Sequence, residues 1–154
     1  MTPKLSNEVP MQTQTNPQSD VNTPANRDRR RQGLAVLNEI DGDAGQAVID
    51  SLADIAPDLA HHIAAFAFGD IYSRPGIEPG QRQLVTIGVL TAMGGCEPQL
   101  RVHIGAALNV GLSAEEIVEA IIHSAVYCGF PKALNAMFVA KEIFDQRGVN
   151  PPSE

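Results

Sequence analysis

Apolar residues recur with a helical period along almost the whole chain from Asn26 onward. In "DAGQAVIDSLADI" and "PDLAHHIAAFAFGDIYS" they stand mostly three or four positions apart, which places their side chains on one face of a helix. Residues 81–95, "QRQLVTIGVLTAMGG", are apolar around nearly the whole circumference, as is typical of a helix in a bundle centre or a subunit interface. We find no convincing strand. The pattern therefore predicts an all-α, single-domain bundle of about six helices.

Turn and capping residues divide this pattern into separate helices. The Asp-Gly pair at positions 41–42 ends the first helix, and Pro57 suits the first position of a later one. Ser113 followed by Glu116 forms a capping box, which marks the start of a further helix. Pro131 opens the last helix, and Gly148 closes it.

The ends of the chain differ from this helical region. Residues 1–25 are rich in proline and polar side chains and contain no aromatic residue. Such a segment cannot bury enough apolar surface to offset the entropy lost on ordering. We therefore expect a disordered N-terminal tail over 1–25, a helical domain over 26–148 and a short C-terminal tail over 149–154.

Composition and charge narrow the function classes. The net charge of −7 disfavours nucleic-acid binding, and the one basic run, "RDRRR" at 27–31, adjoins the predicted tail. Two cysteines do not make a disulfide framework and favour a reducing compartment. No apolar run reaches the roughly 20 residues that span a bilayer, and no apolar signal-peptide core is present. We expect a cytoplasmic protein with neither nucleic-acid nor membrane partners.

A histidine and a cysteine stand close together in "GGCEPQLRVHIGAALNVG". His103 lies three residues after Leu100 and four before Ala107, within the apolar stripe of its helix. It is either a core histidine bonded to a carbonyl or an acid–base group with a pKa near or below about 6.5. Cys96 precedes this helix, where the helix dipole lowers a thiol pKa; alternatively it is a small buried apolar residue at a tight turn.

A second polar line follows on the next helix: Glu116, Glu119, His123 and Tyr127. This spacing is typical of a solvent-exposed helix face. Alternatively, the end of this helix, with the glycine and proline that follow Tyr127, lines the mouth of a cavity. We expect no metal site, because the adjacent His61 and His62 diverge by roughly 100° around a helix. We expect no cofactor, since no glycine-rich phosphate loop is present.

Several short motifs together resemble the carboxymuconolactone decarboxylase family, which also contains the alkyl hydroperoxide reductase D-type proteins. They are "RPG", "RQLVTIG", "QLRVHIGAALNVG", "EEIVEAIIH" and "YCGFPKALNA". The likeness extends over about residues 30–148. It implies a small helical subunit that forms homo-oligomers, commonly trimers or hexamers, and takes a small anionic substrate.

The resemblance also implies roles for individual residues. His103 matches the family's histidine, which in the peroxidase branch follows a Cys-x-x-Cys pair and is served by a glutamate on the preceding helix. Cys96 occupies the first cysteine position here, but Gln99 occupies the second and Gln83 stands about where the glutamate is expected. A peroxidatic thiolate needs a resolving thiol, and an amide cannot act as the base. These departures disfavour two-cysteine peroxidase chemistry.

Decarboxylation of a carboxylated lactone needs neither cysteine. Loss of CO₂ moves an electron pair onto the lactone carbonyl, and the resulting dienolate is then protonated at carbon. We expect His103 to donate that proton and Arg74 or Arg82 to hold a substrate carboxylate through a bidentate fork. Arg74 alternatively stabilises a turn, and Arg82 a surface or interface ion pair. His123 and Tyr127 are further substrate-binding candidates.

Two other functions stay open at this point. One is a thiol-dependent antioxidant protein that works through Cys96, alone or with Cys128. The other is a non-catalytic oligomeric member of the same family.

Overall fold

The computed structural model describes residues 20–150, which fold into seven α-helices and one π-helical segment without a strand. The predicted all-α class is confirmed, with one helix more than the expected number of about six. Residues 1–19 of the predicted N-terminal tail and 151–154 of the C-terminal tail lie outside the described residues. The helices are α1 (Pro24–Ile40), α2 (Gly42–Ser51), α3 (Pro57–His62), α4 (Pro79–Met93), α5 (Glu97–Asn109), α6 (Ala114–Cys128) and α7 (Phe130–Arg147).

Prolines and caps fix where these helices begin. Five of them, α1, α3, α4, α5 and α7, carry proline in the first two positions, where a missing N–H breaks no helical bond. The capping box predicted for α6 is confirmed: the Ser113 hydroxyl accepts from the Glu116 amide at 3.1 Å, and the Glu116 carboxylate accepts from the Ser113 amide at 2.8 Å. Gly148 ends α7 in the left-handed conformation.

The helix predicted over residues 57–73 changes its geometry partway. After α3 the chain continues as a ten-residue π-helical segment, Ile63–Tyr72, which we call the π segment. π-Helices are rare, occur mostly as single turns within α-helices, and are frequently found at functional sites. The π segment packs closely on α1, where a Cβ added to Gly33 would lie 1.8 Å from the carbonyl oxygen of Ala64. No proline marks the change at Ile63, so the sequence pattern carries no signal for it.

Two apolar clusters form the core, and α5 contributes to both. The first lies among α4 to α7 and includes Ile87, Ile104 and Ile117, each fully buried. The second joins α1, α2 and the π segment, and Ala106 of α5 belongs to it. Helix α5 therefore separates two packed layers. Within residues 20–150, no helix combines the length and the apolar character needed to cross a membrane.

Candidate active site

A cavity of about 380 Å³ lies between α5, the π segment and the junction of α1 with α2. Its walls are mainly apolar. The polar side chains that line it are those of Asp41, Tyr72, Gln99 and His103. An apolar pocket with a few convergent polar groups is the usual form of a small-molecule site. We therefore describe this cavity as the candidate active site.

His103 and Gln83 meet at the α5 side of the cavity. Nδ1 of His103 lies 3.0 Å from Oε1 of Gln83, which is fully buried on α4. Because an amide oxygen only accepts, this contact makes Nδ1 the donor and leaves Nε2 as the acceptor of the neutral ring. Within residues 20–150, Nε2 of His103 and Nε2 of Gln83 have no hydrogen-bond partner. Burial lowers the pKa of His103, so the ring is neutral at neutral pH.

Asp41 contributes a second ionisable group to the same cavity. It follows α1 directly, is 5% exposed, and its Oδ1 is buried with no hydrogen-bond partner among the described residues. Burial raises the pKa of Asp41 to about 7, because a low-dielectric surrounding disfavours the carboxylate. Gly45 makes room for it: a Cβ there would lie 2.6 Å from the Cβ of Asp41.

Our sequence analysis missed Asp41. The Asp-Gly pair predicts only the end of the first helix, and the structure places that end at Ile40. A signal was nevertheless present, since Asp41 stands four residues after Leu37 and so continues the apolar face of α1. A carboxyl group in an apolar stripe is uncommon unless it is paired or functional.

Tyr72 forms the wall beside Asp41. Its ring stacks on Phe68 with 4.8 Å between the centroids, and its hydroxyl lies 3.1 Å from the Thr86 hydroxyl. Burial raises the pKa of Tyr72; the Thr86 hydrogen bond and the positive charge of Arg82 only partly offset this, so the phenol is neutral.

The two predicted carboxylate-binding arginines lie together but do not line the cavity. A terminal guanidinium nitrogen of Arg82 donates to the carbonyl of Arg74 at 2.7 Å. The Arg74 side chain is exposed, whereas Nε of Arg82 is buried and has no partner in the part of the chain that the structure describes. Arg82 is nevertheless near enough to Tyr72 for its positive charge to lower the pKa of that phenol.

Both cysteines are half-buried thiols outside the cavity lining. Cys96 precedes α5, as predicted, and its Sγ–H points to the carbonyl of Gly94 at 3.5 Å. Cys128 ends α6, with Sγ 3.8 Å from the carbonyl oxygen of Gly129. Pairing of the two thiols stays a prediction. Gln99, which occupies the second cysteine position of the peroxidase pattern, does line the cavity.

His123 and Tyr127 lie on an exposed groove between α4 and α6 and share no lining residue with the His103 cavity. Their rings meet edge to face with 5.4 Å between the centroids. The same groove contains the exposed apolar side chains of Val85 and Val89. The structure thus brings His103 and Gln83 together and keeps His123 and Tyr127 apart from them. Among residues 20–150, no three His, Cys, Asp or Glu side chains are grouped closely enough to hold a metal ion.

Comparison with known proteins adds a family match to this geometry. Residues 57–142 match the profile of the carboxymuconolactone decarboxylase family. The chain is 39% identical over 124 residues to 4-carboxymuconolactone decarboxylase of Acinetobacter baylyi, an alignment that covers 80% of this chain and 92% of that protein.

The alignments with two further relatives cover a smaller share of each chain. Nitrosuccinic acid decarboxylase of Metarhizium robertsii is 38% identical over 80 residues, 52% of this chain and 55% of that protein. An uncharacterized 15.0 kDa protein of Paracoccus denitrificans is 30% identical over 95 residues, 61% of this chain and 71% of that protein.

Proposed function

Because the chain belongs to the carboxymuconolactone decarboxylase family, we propose that it removes CO₂ from a small carboxylated lactone or a related acid of aromatic-compound catabolism. Two of its relatives are named as decarboxylases, which supports a decarboxylase-like function. One observation carries the proposal furthest: the cavity exposes a histidine whose Nε2 has no partner within residues 20–150, while Gln83 anchors its Nδ1.

The reaction has two steps that this cavity suits. In the first, the bond between the substrate carbon and its carboxylate breaks, CO₂ leaves, and the electron pair is delocalised onto the lactone carbonyl as a dienolate. In the second, a proton is transferred to carbon. The apolar walls favour the first step, because burial disfavours the localised charge of a carboxylate more than the delocalised charge of the dienolate that replaces it.

His103 is the general acid and base of this scheme. Its neutral Nε2 takes up a proton from solvent water, and the resulting imidazolium is held by the Oε1 atom of Gln83 through Nδ1–H. The imidazolium then delivers the proton to carbon. Gln83 acts as a positioning residue, since its amide orients the ring and neither gains nor loses a proton.

Arg82 is the better of the two arginine candidates for holding a substrate carboxylate. Its buried Nε lacks a partner among the described residues, and a guanidinium binds a carboxylate through paired donors. Its guanidinium does not line the cavity, so it would have to turn toward the Tyr72 wall to reach a ligand there. Arg74, by contrast, supplies the backbone carbonyl that holds Arg82.

We further propose that the protein acts in the cytoplasm as a homotrimer or homohexamer. Its exposed apolar side chains include Val89, Val126 and Phe130, of which the last two are more than three-quarters exposed. A patch of this kind on α4, α6 and α7 marks an association surface. His123 and Tyr127 lie on the same surface and would be covered with it.

The test is turnover of carboxymuconolactone by wild type, His103→Ala and Cys96→Ser, measured as CO₂ release. We expect His103→Ala to lose at least about a hundredfold in kcat and Cys96→Ser to keep wild-type activity. His62→Ala, which changes an exposed histidine, is the matched control. Sedimentation velocity checks that all variants keep the same assembly. CO₂ release that survives in His103→Ala would contradict the role of His103, and peroxide consumption that Cys96→Ser abolishes would instead support the thiol-dependent peroxidase.

A further inference from the structure

The cavity is short of hydrogen-bond donors for the charge that the reaction creates. The dienolate carries its negative charge on the lactone carbonyl oxygen, and a donor there stabilises the transition state. Nδ1–H of His103 is occupied by Gln83, and the Tyr72 hydroxyl shares a contact of 3.1 Å with the Thr86 hydroxyl, in which either group can donate. Gln99 is exposed at the cavity edge. Among the polar side chains that line the cavity, Asp41 is set apart by being buried with its Oδ1 unpartnered within the described residues, which makes it the strongest candidate for this donor.

Asp41 has no structural partner that explains its burial. Its side chain does not cap α2, and its Oδ1 is unpartnered within the described residues. The lining residues from α2, Gly45 and Val48, carry no charge, and no lysine or arginine lines the cavity. A carboxylate here would be both desolvated and unpaired, and it would repel an anionic substrate.

We propose that Asp41 acts as a neutral carboxylic acid that donates a hydrogen bond to the lactone carbonyl oxygen of the substrate. This inference rests on the proposed function for the class of ligand. As CO₂ leaves, the charge that develops on the carbonyl oxygen shortens and strengthens this hydrogen bond. His103 delivers the proton to carbon, so Asp41 keeps its own proton through the cycle.

The titratable groups that face Asp41 are consistent with this role. Tyr72 of the π segment is neutral because burial raises its pKa, and His103 of α5 is neutral because burial lowers its pKa. Burial raises the pKa of Asp41 to about 7. Loss of the Asp41 proton above that pH removes the donor and adds a repelling charge, so ligand binding takes up a proton in alkaline solution.

The experiment measures binding of a saturated γ-lactone carboxylate, which cannot lose CO₂, by titration calorimetry between pH 6.5 and pH 8.5. Two buffers of different ionisation enthalpy report the protons taken up. For wild type we expect Kd to rise about tenfold per pH unit above pH 7. Asp41→Asn keeps an N–H donor without a charge, so its Kd stays constant with pH. Asp41→Ala binds weakly throughout, and Asp43→Asn, an exposed carboxylate two residues away, behaves as wild type.

The outcomes separate this inference from the function it rests on. Identical pH dependence in wild type and Asp41→Asn, or wild-type affinity of Asp41→Ala at pH 6.5, overturns the role of Asp41 while decarboxylation stands. If wild type neither binds the probe at pH 6.5 nor releases CO₂ from carboxymuconolactone, the proposed function fails, and this inference fails with it. Far-ultraviolet circular dichroism shows that each variant is folded.

Discussion

Replacing Asp41 by Asn tests the energetics of the cavity without any ligand. The carboxyl group changes its pKa from 3.8 in the unfolded chain to about 7 in the folded protein. Each unit corresponds to about 1.4 kcal/mol, so full ionisation of Asp41 costs the fold about 4 kcal/mol. The folded state binds the proton more tightly, so the free energy of unfolding falls as pH rises from about 4 to about 7 and is then constant.

Asn carries no charge at any pH and escapes this cost. Between pH 5 and pH 8 we expect ionisation of Asp41 to lower the free energy of unfolding of wild type by about 2 to 3 kcal/mol. Asp41→Asn has no such loss. The variant is then more stable than wild type at pH 8, by up to about 4 kcal/mol. This sign is unusual, because most substitutions of buried residues destabilise a protein.

Urea unfolding at pH 5 and pH 8 measures the difference, at a single protein concentration because association stabilises subunits. Asp43→Asn is the control: it removes an exposed carboxylate from the first turn of α2 and costs about 0.3–1 kcal/mol at both pH values. If the free energy of unfolding changed equally with pH in wild type and Asp41→Asn, burial would not raise the pKa of Asp41. That result would remove the electrostatic basis of its proposed role.

Three further predictions concern the fold. Gly33→Ala places a Cβ against the Ala64 carbonyl and lowers the free energy of unfolding by about 1–3 kcal/mol or more. Gly76 has open space around it, so Gly76→Ala changes the free energy of unfolding little. Urea unfolding compares the two variants. Ile104→Ala empties part of the first core cluster and costs about 2–5 kcal/mol in the same assay. Ser113→Ala removes the α6 cap and lowers stability by about 0.5–2 kcal/mol, and amide exchange in the first turn of α6 accelerates.

The fold was predictable because its signals are local. Apolar periodicity, prolines at helix starts and the box at Ser113 each act within a few residues, and together they specify the all-α class. The π segment was not predictable, because no residue within Ile63–Tyr72 marks the change, and its close contact with α1 at Gly33 joins residues far apart in the sequence. A helical pattern indicates which residues share a face but does not indicate how wide each turn becomes.

The candidate site was predictable only in part, for a related reason. The family pattern indicated His103 and Gln83, and the fold brings them to 3.0 Å. Spacing on α6 placed His123 and Tyr127 on one face, and the structure sets that face beside α4, while their part in substrate binding stays a prediction. Asp41 was missed because its importance comes from burial by three other elements, which no local sequence window contains.

The π segment has a consequence for the shape of the cavity. A π turn holds more residues than an α turn, so deleting one residue from Ile63–Tyr72 would let the stretch relax to ordinary helical winding. The aromatic pair formed by Phe68 and Tyr72 would then swing around the axis while the flanking helices keep their places. Because this segment forms one wall of the cavity, its length would set the shape of the pocket without moving the flanking helices.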